Sequence, residues 1–126
     1  MFCGGLLCLR LGDRMNQQEF HEAVMEIDSH YGRNFINWQQ FIEGSWRYPE
    51  QTQTLYVITP SYAIAPYAFR KLTEMFPTSI ETMHLQNPMS INYKSGLKVI
   101  ITVPDNPMKY RNLNHETTAF IVWEYT

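Results

Sequence analysis

The chain has 126 residues, of which 44% are apolar, 14% aromatic and 17% charged, with a net charge of −2. A chain of this length suits one domain and buries roughly two-thirds of its unfolded surface. It therefore folds without disulfides or metal, and its aromatic content and low charge exclude intrinsic disorder. The weak acidic balance excludes a general nucleic-acid binder, which needs a basic footprint; Arg47, Arg70, Lys71, Lys94, Lys98, Lys109 and Arg111 are spread along the chain rather than clustered.

Met1 to Arg14 reads MFCGGLLCLRLGDR and differs in character from the rest of the chain. Its apolar stretch has no basic residue before it and no small-residue cleavage site, so it is not a secretory signal, and it is too short to span a membrane. Cys3 and Cys8 are the only cysteines and form neither a C-x-x-C pair nor a metal set. A cysteine-free body fits a reducing, cytoplasmic setting. Two readings of the leader stand side by side. One is a short strand around Leu6 to Leu11. The other is a translated ribosome-binding site: Leu11-Gly12-Asp13 can be encoded by a purine-rich run resembling AGGAGA shortly before the Met15 codon. Met15 would then be the native start and the source bacterial or phage; codons without that run would sink the idea. The expected division is a leader, 1–14, and a single domain, 15–126.

Gln17 to Tyr31 is the clearest periodic segment. Phe20, Ala23, Val24, Ile27 and Tyr31 form one helical stripe. Asn16 is the expected N-cap, Glu19 completes a capping box, and Gly32 is the stop. A second helix is expected with Phe35, Trp38, Phe41, Ile42 and Trp46 on one face, Asn34 as cap and Gly44 at the end. The short link between the two predicts a helical hairpin. Arg47 to Gln53, with Pro49, reads as a loop. Thr54 to Thr59 is a buried strand ended by Pro60. Pro66 suits the first turn of a third helix carrying Ala68, Leu72, Met75 and Phe76, closed by Pro77.

The rest is β: Ser79 to Leu85, Met89 to Tyr93, Leu97 to Val103 and Thr118 to Tyr125. Asn87-Pro88 marks a turn, and Lys94-Ser95-Gly96 predicts a hairpin. Apolar Ile100 on the second face makes the Leu97 strand central. The expected fold is α+β: an N-terminal helical hairpin and one further helix packed on one face of a mostly antiparallel sheet of about five strands.

No glycine-rich phosphate loop is present. His21 and His30 lie nine residues apart on the first helix, without metal-site spacing. His84 lies in a strand. His115, beside Glu116 and in the same loop as Asp105, could act as a general acid or base, set against the bland reading of a solvated histidine. No metal or cofactor is expected. The loop Pro104 to Glu116 is the longest irregular stretch, and such loops often carry function. Its Lys109, Tyr110, Arg111, Asn112 and His115 combine cation, aromatic and amide groups suited to an anion or a partner surface. Trp38, Phe41, Trp46 and Tyr48 are more aromatic than one helix needs and are the candidate interface, with core packing as the alternative.

These residues support three functional expectations. The first is a non-enzymatic binding protein that self-associates or meets a protein partner, with an oligomeric inhibitor encoded by a phage or mobile element as its sharpest form. The second is a small-molecule or nucleotide-binding module taking a small anionic ligand. The third is a small hydrolase or transferase using His84 or His115.

Overall fold

A computed structural model of the chain describes residues 16–44, 50–75, 77–85, 89–104 and 110–123, Arg33 by its backbone alone. The leader, Trp46, Tyr48, Asp105 and Lys109 lie outside the described residues.

Helix α1, Gln17–Tyr31, has the expected capping box: Asn16 Oδ1 accepts from Glu19 N at 2.8 Å, and Asn16 N donates to Glu19 Oε1 at 3.2 Å. Two donors that a helix start leaves orphaned are thereby satisfied. Phe20, Ala23, Ile27 and Tyr31 are buried and Val24 is half-buried. Past Tyr31 the chain makes one 3-10 turn, Gly32–Asn34, and enters strand β1, Phe35–Asn37.

The expected helical hairpin is not formed. Phe35 to Asn37 pair in parallel with Phe120 to Val122 at the edge of the sheet. Helix α2 is only Trp38–Ile42, and its cap is Asn37, whose Oδ1 accepts from Gln40 N at 2.8 Å, rather than Asn34. Asn34 instead donates from Nδ2 to the carbonyls of His115 and Thr118, tying the 3-10 turn to the last strand. Gly44 ends the helical turn at φ 76, a conformation that favours glycine.

The remaining elements are β2 (Thr54–Ile58), α3 (Ala65–Met75), β3 (Ile80–His84), β4 (Met89–Tyr93), β5 (Lys98–Thr102) and β6 (Thr118–Val122), with a 3-10 turn at Pro77–Ser79. They form one six-stranded sheet of order β1-β6-β2-β5-β4-β3. The α+β class holds, but the sheet is mixed rather than mostly antiparallel: β1, β6, β2 and β5 run parallel, whereas β4 opposes β5 and β3 opposes β4. The last strand in the chain slots between the first two. The β4–β5 hairpin turns on Lys94-Ser95-Gly96 as expected, with Gly96 at φ 99.

Helices cover both faces, not one. Leu55, Val57, Val99, Ile101, Ala119 and Ile121 face α2 and α3. Tyr56, Ile58, Phe120 and Val122 point the other way, toward α1 and Tyr110. Strands buried on both faces read as continuous apolar runs, which is the pattern of Leu55 to Ile58 and Ala119 to Val122.

Candidate functional site

The loop singled out in the sequence turns much of its chemistry toward α1. Tyr110 is 2% exposed. Its ring meets Tyr56 and Phe120 edge-on, at 5.3 and 5.7 Å. The Tyr31 hydroxyl donates to the Tyr110 carbonyl and, at 3.2 Å, lies within reach of the Leu113 carbonyl. Arg111 reaches back to α1: its Nε and Nη2 each lie 2.8 Å from Glu26 Oε2, with His30 Nε2 at 3.2 Å from the same oxygen. The Arg111 hydrogen bond holds the Glu26 carboxyl below its ordinary range, and His30 adds to the effect. The His115 ring stacks on Tyr31 with centroids 4.5 Å apart. Asn112 is exposed.

Arg111 is thus already charge-matched within the fold, and Tyr110 is part of the core. Burial raises the phenol pKa values of Tyr31 and Tyr56 beneath this loop.

His84 and His115, each a separate candidate for catalysis, lie far apart. His84 ends the outermost strand β3, opposite Ser90, while His115 lies just before β6. Strands β2, β5 and β4 stand between them, a separation of roughly 19 Å at ~4.8 Å per strand. Among the described residues no group of three His, Cys, Asp or Glu side chains could hold a metal ion.

Of the aromatic candidates, Trp38 is 7% exposed and packs on Trp123 and Phe41, with centroids at 4.9 and 6.0 Å. That places it in the core beneath α2. Phe41 is half-buried and borders an opening that the sequence does not announce.

This opening is a partly open cavity of about 810 Å³ between α2, α3 and the sheet, at the edge where β2 and β5 begin. Leu55, Val99, Leu97 and Tyr93 form its floor, Leu72 and Met75 the α3 wall, and Phe41 and Ile42 the α2 wall. Thr78, Ser79, Lys94 and Ser95 supply a polar rim on one side, and Glu50 contributes from the segment leading into β2. The rim is braced where Lys94 N donates to Ser79 O at 2.8 Å. α2 stops at Ile42, and among the described residues no helix beyond it covers this end of the sheet. Drug-sized ligands occupy sites of ~300–1,000 Å³.

The cavity opens to solvent, so water or a ligand fills it. Water against so many apolar walls is readily displaced by an apolar group.

Little in the sequence marks the cavity, because its walls come from segments that are distant in the chain. The one local sign is Gly44, which cuts α2 short.

No family model matches the chain, and neither a curated protein nor a solved structure matches it. No helix among the described residues is long and apolar enough to cross a membrane.

Proposed function

We propose that the protein is a non-enzymatic binding module for a small, mainly apolar molecule held in the cavity between α2, α3 and the sheet. The observation that carries this reading is the pairing of an apolar floor and walls with a polar rim confined to the mouth. Apolar burial supplies affinity at ~25 cal/mol per Å², and the few polar groups orient the ligand.

Titration with octan-1-ol, followed by amide chemical shifts, tests it. Shifts are expected at Leu72, Leu97 and Val99, and Leu97→Trp, which fills the space, should abolish them without altering the rest of the spectrum. No shifts, or shifts confined to another surface, would sink the reading.

One observation favours self-association as a second reading. No described strand pairs with the outer edge of β3, and Met83 and Leu85 beside it are 52% and 69% exposed. A second copy pairing edge to edge would cover both. A monomeric mass by light scattering would remove this reading.

A further inference from the structure

We infer that the cavity selects a single-tailed amphiphile with an anionic head, a medium-chain carboxylate in its simplest form, and that Lys94 is the counter-ion. This inference rests on the cavity reading above. The apolar walls set the requirement for a tail. The head-group preference comes from how the rim is divided.

At one side, the β4–β5 turn and the 3-10 turn bring Lys94 and Ser95 beside Thr78 and Ser79 on the cavity rim, residues whose side chains carry an ammonium and three hydroxyls, all groups that donate hydrogen bonds. The Lys94 side chain is exposed and has no ion-pair partner among the described residues, unlike Arg111, which Glu26 engages. An incoming carboxylate therefore need not displace an existing partner. The opposing charge, Glu50, enters from the segment before β2, and β5 lies between β2 and β4. A head beside Lys94 gains a charge-assisted hydrogen bond, and because Lys94 and Glu50 are both exposed, water and salt screen the repulsion from Glu50.

The test is a head-group series on one tail: octanoate, octan-1-ol and octylammonium titrated into the full chain, with Kd read from the cavity amides at fixed ionic strength. Octanoate is expected to bind about fivefold more tightly than octan-1-ol, the upper range for one exposed charge contact, and octylammonium more weakly than either. Lys94→Met should remove the preference for octanoate while leaving octan-1-ol binding unchanged, and Lys94→Arg should retain it. Equal binding of octanoate and octan-1-ol, or a preference that survives Lys94→Met, overturns the assignment of the head group while leaving the cavity reading intact. Tighter binding of octylammonium overturns it in favour of Glu50. Failure of all three probes to bind overturns the cavity reading itself.

Discussion

The two faces of the sheet are built from adjacent residues on the same strands, yet they are packed in different ways. Leu55 and Tyr56 on β2, or Phe120 and Ile121 on β6, point to opposite sides. On the α1 side, aromatic rings interlock: Tyr56 stacks on Phe120 at 5.3 Å, and Tyr31 and Tyr110 close over the same ring at 4.7 and 5.7 Å. Hydrogen bonds from Tyr31 and the Arg111–Glu26 pair then fasten the loop to the helix. On the other side the packing is mainly aliphatic, the covering helix α2 is short, and a cavity is left. The difference separates two tasks that compete for the same side chains. Close-packed rings give stability but leave no space for a ligand. An incompletely covered sheet gives up burial and gains a place to bind.

The largest effect should appear where the rings meet. Phe120→Ala removes a fully buried side chain touched by four other rings and is expected to cost ~3–5 kcal/mol. That is a large share of a typical domain's stability. Leu72→Ala, though equally buried, removes atoms that already border the cavity, so its cost should fall near ~2 kcal/mol, the low end of the range. Urea unfolding of both variants gives the comparison. Equal losses would mean that the two faces are equally well packed.

The same division explains how much of the molecule is visible in the sequence. Where the signal is local, it holds. The α1 stripe and its capping box, Pro66 in the first turn of α3 and the Lys94-Ser95-Gly96 hairpin all depend on residues a few positions apart. Where pairing is long-range, it does not. Phe35, Trp38, Phe41 and Ile42 have helical spacing, but pairing of Phe35 to Asn37 with β6, some 85 residues away in sequence, overrides it. The sequence points to Asn34 as the cap, and the strand pairing moves the helix start to Asn37. The parallel strands carry a sign that strand count and order conceal: the unbroken apolar runs of β2 and β6, against the alternation in β5. The cavity is legible least of all. Its shape depends on the length of α2 relative to the sheet beneath it, a property of no single segment.

Enlarging a side chain tests the contrast more finely than deleting one. Leu55 and Ile58 lie on β2 and are 2% and 0% exposed, but Leu55 lines the cavity and Ile58 lies among the rings. Replacing each by Phe adds a similar volume. Ile58→Phe has nowhere to place it and should cost ~1–3 kcal/mol. Leu55→Phe can extend into the cavity and should cost less than about 1 kcal/mol, while weakening binding of octan-1-ol. A larger penalty for Leu55→Phe than for Ile58→Phe would reverse the assignment of the open face.

The smallest effect, and the one most specific to the α1 face, is in its pH dependence. Arg111 lowers the Glu26 carboxyl below its ordinary value of 4.5 in the folded state. A depressed carboxyl pKa stabilises the fold above the unfolded value, and that contribution is lost as pH falls from about 4.5 through the lower folded value. Both groups are solvent-accessible, so salt screens the pair and the effect is small. Arg111→Met removes the main cause and leaves the smaller contribution of His30. Its Tm should therefore lie slightly below that of the parent at pH 7, and the gap should close as the pH is taken to 3, since every other carboxyl titrates equally in both proteins. At the alkaline end the sign reverses. Burial raises the Tyr31 and Tyr56 phenols above 10.0, so their contribution is complete below that pH and is lost as pH rises toward their folded values. Tyr31→Phe should flatten that limb and leave the acid limb unchanged. An Arg111→Met gap that stays constant from pH 7 to pH 3 would show that the clasp works through the packing of the arginine stem, not through its charge.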